Sequence, residues 1–196
     1  MISRICTITL VLMAVLATSC EGTRKLKDDI KADATKRSIE RTRLHSAADL
    51  KAAYDKDAGD ADEALLLFFN ALLLIEEDQP AGYAAAAYMS RPNDQWDDPD
   101  GPTGVKPSQM ASEGLKRLVQ NPEKTRSYTG GKPAEYKMAD AEKVVLEIKE
   151  TNKISDNEMK FFIWSSGKEN ASPVRMKSEN GKWYVEEWTS IQTDVQ

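Results

Sequence analysis

Between Ala64 and Ile75 the chain carries twelve residues of which only Asn70 is polar. They lie inside "ADEALLLFFNALLLIEED", residues 61–78. Leu, Ala and Phe dominate and β-branched residues are scarce, so the stretch predicts a helix. A helix that is apolar all round must be buried nearly all round. It is too short to cross a bilayer, which needs about 20 apolar residues. Asp60 or Asp62 is placed to cap it, and acids in the first turn suit the positive end of the helix dipole. Asn70 is expected to be a core amide with its hydrogen bonds met by protein; a ligand contact is the alternative.

The segments around this helix divide by period. Ser46 followed by Asp49 resembles a capping box with Asp in place of Glu and predicts a helix over roughly 47–56. Asp57 to Asp60, with Gly59, breaks it. Pro80 opens a short alanine-rich helix to about residue 89. "RPNDQWDDPDGPTGVKP" is a loop by composition. Pro107-Ser108 then starts a helix to about Gln120, which Asn121-Pro122 ends.

Beyond it the period falls to two. Residues 142–150, 158–166, 172–179 and 182–191 read as strands. Asn180-Gly181 marks a two-residue hairpin between the last two. That loop sets Glu179 opposite Lys182, Lys177 opposite Tyr184, Met176 opposite Val185 and Arg175 opposite Glu186. Helices first and strands after define an α+β class: N-terminal helices packed on an antiparallel sheet of about four strands.

The front of the chain is different. Arg4, an apolar run from Ile5 to Leu16 and the small residues Ala17-Thr18-Ser19 describe a secretory signal peptide, residues 1–19. Cys20 follows directly, and the stretch resembles the lipobox of bacterial lipoproteins, although Ala17 stands where Leu is usual. That resemblance implies a diacylglycerol thioether on Cys20 and fatty acylation, such as palmitate, of the new amine. With Glu21 rather than Asp next, it implies a cell-envelope location, the outer membrane where the cell has one. The other cysteine, Cys6, leaves with the leader, so no disulfide holds the mature chain.

Residues 20–45 are expected to form a charged tether, flexible or transiently helical. From 21 to 45 eight Lys/Arg stand against five Asp/Glu. Residues 46–196, expected to be a single domain, carry eighteen against twenty-seven. So acidic a domain argues against a nucleic-acid partner, because neutralising phosphates needs basic surface. The expected partners are the membrane, through the anchor, and a protein, cell-wall or small-molecule ligand.

His45 is the only histidine and sits where the tether meets the domain, so no Ser-His-Asp arrangement is available inside it. Metal and cofactor are not expected. Zinc lacks ligands, and "NDQWDDPDGP" misses the calcium-loop spacing while Asp-Pro-Asp-Gly is ordinary turn chemistry. Gly130-Gly131 before Lys132 lacks the Walker spacing and predicts a tight turn. Trp164, Trp183, Tyr184 and Trp188 are expected mainly as core.

"SYTGGKPAEYKM" and "MKFFIWSSGKENASPVRMKSENGKWYVEEWTSIQTDV" resemble a bacterial domain family of unknown function over about residues 60–196. The residues that carry the likeness are Ser127, Tyr128, Gly130, Pro133 and Tyr136; Ser165 and Gly167; Pro173 and Arg175; and Trp183, Tyr184 and Glu187. Val174 and Thr129 depart from its pattern. Helices followed by a sheet that ends in "GKWYVEEW" are also similar to the cone-shaped folds of the nuclear transport factor two-like superfamily, which hosts enzymes and binding modules alike. The expectation is a non-catalytic module binding a ligand or partner through Tyr128, Tyr136, Arg175 and Trp188. An enzyme using Tyr128, Tyr136 and Glu187 in a cone-shaped pocket is one alternative, and a structural spacer another.

Overall fold

A computed structural model describes residues 31–33, 36–193 and 195. The leader, Cys20 and the first part of the expected tether lie outside the described residues. No described helix is long and apolar enough to cross a membrane.

The apolar run forms a helix, here α2 (Ala61–Glu77), capped by Asp60, whose carboxylate accepts from the amides of Asp62 and Glu63. Every residue from Ala64 to Ile75 is buried. Around it lie α1 (Ala47–Asp57), α3 (Gln79–Tyr88), α4 (Gln109–Gln120) and α5 (Pro122–Tyr128). Ser46 caps α1 by accepting from the amide of Asp49 at 3.0 Å, and its hydroxyl meets the Asp49 carboxylate at 2.7 Å. A side chain at Gly82 in α3 would run into the backbone of Ile75, so glycine is what lets α3 lie so close to α2.

The strands are β1 (Lys31–Asp33), β2 (Arg37–Thr42), β3 (Gln95–Asp97), β4 (Val105–Pro107), β5 (Lys143–Ser155), β6 (Glu158–Ile163), β7 (Ser172–Glu179) and β8 (Lys182–Glu187). β5 to β8 form an antiparallel meander, with β1 and β2 end to end along the free edge of β5. The sheet curls into a half-barrel. Its inner face presents Val144, Leu146, Ile148, Phe161, Ile163, Val174, Met176, Trp183 and Val185, all buried with α2 in one core. Each such large side chain contributes roughly 1.5–3 kcal/mol. The α+β class expected from the order of elements is therefore the one observed.

Three expectations need correction. Residues 31–33 and 37–42, expected as tether, are strands β1 and β2. In β2 the inward-pointing Arg41 meets Glu63 at 2.7 Å and Asp57 at 3.5 Å, while Arg37 pairs with Asp62. The loop 91–107 contains the β3–β4 hairpin, whose Asp98 and Gly101 form the turn. Pro122 opens a further helix, α5, as well as following the end of α4.

The free edge of β8 is covered by backbone from elsewhere. Trp183 donates to the Ala58 carbonyl at 2.7 Å, Val185 to Met89 at 2.9 Å, and Arg91 to Val185 at 3.0 Å. An edge so occupied offers no template for another strand. The same bonds bring Arg91 to the end of β8, which matters for the site below.

His45, between β2 and α1, lies 3.0 Å from Glu77 and 3.3 Å from Glu142, and Arg43 shares Glu77 at 3.0 Å. The bonds to Glu77 and then Glu142 raise its pKa above the ordinary 6.5. A raised folded-state pKa stabilises the fold fully below about 6.5 and loses that contribution as pH rises through the folded value. The groups are exposed, so the effect is small and weakened by salt. His45→Gln is expected to flatten this segment of the pH–stability profile in denaturant titrations; an unchanged profile would show that the three side chains do not interact in solution.

Candidate functional site

Four residues were expected to bind, and the structure distributes them. Trp188 and Tyr128 belong to a chain of core rings. Trp188 stands against Phe68 at 5.5 Å, Phe68 against Phe69 at 6.2 Å, and Phe69 against Tyr128 at 5.9 Å. The Tyr128 hydroxyl meets Ser172 Oγ at 2.6 Å. Burial pushes its phenol up to about 12, so it stays protonated at neutral pH.

Tyr136 closes a clasp built from the family-like residues. Ser165 Oγ donates to Ser127 Oγ at 2.8 Å, which donates on to the Lys124 carbonyl at 2.8 Å. The Ser166 amide reaches the Ser127 carbonyl at 2.9 Å. Gly131 has no room for a Cβ between the carbonyls of Tyr136 and Arg126, and the Tyr136 hydroxyl lies where a Cβ on Gly167 would be. The distant "SYTGG" and "SSG" segments thus lock to each other. The Gly130-Gly131 turn, with φ of 96° at Gly130, is the tight turn expected.

Arg175 and Trp188 do come together. They share a hollow of about 260 Å³ at the end of β8, with Arg91, Asp94, Met110 and Glu187. Its shape depends on a feature the hairpin register did not anticipate. From Asn180-Gly181 the pairing runs as expected through Glu179–Lys182, Lys177–Tyr184 and Met176–Val185. A bulge then inserts Glu186, so Arg175 faces Glu187 instead of the expected Glu186. A bulge re-aims the side chains beside it. Glu186 turns to Lys177 at 3.5 Å. Arg175 is left 3.4 Å from Glu187 and 3.7 Å from Glu158, longer than the usual hydrogen-bond range of about 2.7–3.2 Å. Its buried Nε has no partner among the described residues.

Arg91 and Asp94 form a two-point pair, at 2.9 and 3.2 Å. Met110 and Ala111, from the first turn of α4, complete the wall, and Met110 is 76% exposed. That turn carries no acid, and Ser108 caps it by accepting from the Ala111 amide at 3.3 Å. Arg91 and Met110 were not singled out in the sequence. One lies in a stretch that reads as loop and the other in a helix turn, and the β8 edge contacts bring Arg91 to Arg175.

A larger hollow of about 520 Å³ opens between the start of α2 and the sheet, over Met159, Phe161 and Trp183. Its Arg37 and Asp62 are already paired to each other. Among the described residues, no cluster of three or more His, Cys, Asp or Glu is placed to hold a metal. Tyr128 and Glu187 line separate hollows, so the geometry does not assemble them.

Fold and hollow together define a class: an α+β domain with a buried helix in a curled sheet and a two-signed surface notch at the sheet's last strand. The chain belongs to the family described as domain of unknown function DUF6935, whose model matches residues 45–196. The likeness to an uncharacterised domain family holds at that level. Comparison with curated proteins and with solved structures gave no match.

Proposed function

We propose that this is a lipid-anchored protein of the cell envelope, held through Cys20 with its domain outside the cytoplasm, and that it binds a ligand or partner without catalysis. The binding site is the hollow of Arg175 and Trp188. The observation that carries this is Arg175 itself: a half-buried guanidinium, in a hollow, with no hydrogen bond to a described residue. Its terminal nitrogens are held only by long ion pairs, to Glu187 at 3.4 Å and Glu158 at 3.7 Å, so an acceptor that enters the hollow can compete for them. The helix–sheet hollow is less suited, because its Arg37 is paired. The lipobox resemblance supports the anchor. The curl of the sheet around a buried helix supports a place among the cone-shaped folds of the nuclear transport factor two-like superfamily.

Ala111→Trp should fill the hollow from the α4 side. Native mass spectrometry of the protein purified from its host is expected to show a bound species on the wild type that is missing from the variant. The same species on both, or none on the wild type, would count against this site.

A further inference from the structure

Among the charged side chains that line the hollow, all but one of each sign are closed by a partner. Arg91 is closed by Asp94 at two points. Glu186 is engaged by Lys177. Arg175 and Glu187 remain, in a loose pair at 3.4 Å, with the Glu187 side chain 59% exposed; Glu158, 3.7 Å from the other terminal nitrogen of Arg175, lies outside the lining. A simple anion entering to meet Arg175 would be set against Glu187, and a simple cation meeting Glu187 against Arg175. A solute carrying both charges on neighbouring carbons answers both groups and leaves neither opposed.

We infer that the hollow takes a free α-amino acid, its carboxylate on the Arg175 fork and its ammonium on Glu187. This rests on the reading of the hollow as the binding site. Charge-assisted bonds from a guanidinium to a carboxylate are the stronger kind, and the planar fork matches two carboxylate oxygens. The side chain of the amino acid lies against Met110 and the edge of Trp188. Methionine is flexible and polarisable, so it accommodates apolar side chains of several shapes. At about 260 Å³ the space is at or below the lower end of ligand pockets, roughly 300–1,000 Å³, which suits a small solute better than a polymer segment.

The test uses the intact protein in detergent and an equimolar mixture of the twenty common α-amino acids, read by saturation-transfer NMR. One or more apolar amino acids should give a signal. The strongest is then compared with its amide, which lacks the carboxylate, and its N-acetyl form, which lacks the ammonium. Each block is expected to weaken binding at least tenfold, as are Arg175→Met and Glu187→Gln. Glu187 is exposed, so its variant keeps the test alive if Arg175→Met fails to fold. No signal at millimolar amino acid, blocked forms that bind as well as the free one, or an unaffected Glu187→Gln would overturn the inference. If Ala111→Trp still removes a bound species of other chemistry, only the amino-acid assignment falls. If Ala111→Trp removes nothing, the hollow falls as well.

Discussion

Replacing Cys20 by Ala is expected to move the protein from the membrane fraction to the soluble fraction. Each methylene buried in a bilayer contributes about 0.8 kcal/mol, and a single acyl chain holds only marginally, whereas two or more hold durably. Residues 21–30, ahead of β1, add little in comparison. Their three basic residues are mixed with three acidic ones, and attraction to anionic headgroups is screened by salt. The two contributions separate in one experiment. Wild-type protein should resist a high-salt wash and leave only with detergent, while Cys20→Ala should be soluble before any wash. Intact mass should show the wild type beginning at a lipid-modified Cys20. A chain that still began at Met1, or a variant that stayed with the membrane, would sink the anchor.

The parts of this fold that were legible in the sequence are those where one local force dominates. The run from Ala64 to Ile75 admits burial and little else. Ser46 and Asp60 have side chains that compete for helix-end amides, and both cap as expected. Asn180-Gly181 occupies left-handed backbone, with φ of 52° and 77°, as a two-residue hairpin loop requires. What stayed hidden depends on contacts between distant segments. β2 has the alternation of a strand, but two of its three inward residues are Arg37 and Arg41. They are tolerated there because acids at Asp57, Asp62 and Glu63 wait at the end of α1 and the start of α2. A pattern reader sees charge and infers tether.

The site divides along the same line. Tyr128 and Trp188 are large aromatics, and the core took both, as the general preference for burying such area would have it. Arg175 was legible as a candidate, yet its partner was not, since a bulge has no two-residue signature like the hairpin's. Trp188 borders the hollow while remaining 7% exposed, so it acts there as a wall of the core rather than as a free ring. Arg91 reaches the hollow through a backbone bond to Val185, a contact spanning most of the domain's length in sequence.

Asn70→Leu is the substitution within the domain expected to cost most. Asn70 is fully buried in the middle of α2, where apolar residues fill every neighbouring position. Its carboxamide bonds the backbone of Leu44 twice, accepting from the amide at 2.7 Å and donating to the carbonyl at 2.8 Å. It therefore stands in for a strand partner, tying the link between β2 and α1 to the central helix. Leucine matches the shape but offers neither bond. Two backbone groups are then unmet, at about 1–3 kcal/mol each; water reaches the half-buried Leu44, so the expected loss is about 2–4 kcal/mol. Against a typical total of roughly 5–15 kcal/mol this is a large share. Denaturant midpoints give the size of the loss. Hydrogen exchange at the Leu44 amide gives its cause, since that amide should lose protection beyond what the global change explains. A ligand role for Asn70 predicts the reverse: a midpoint unchanged or raised, because an apolar residue would then replace an unmet amide in the core.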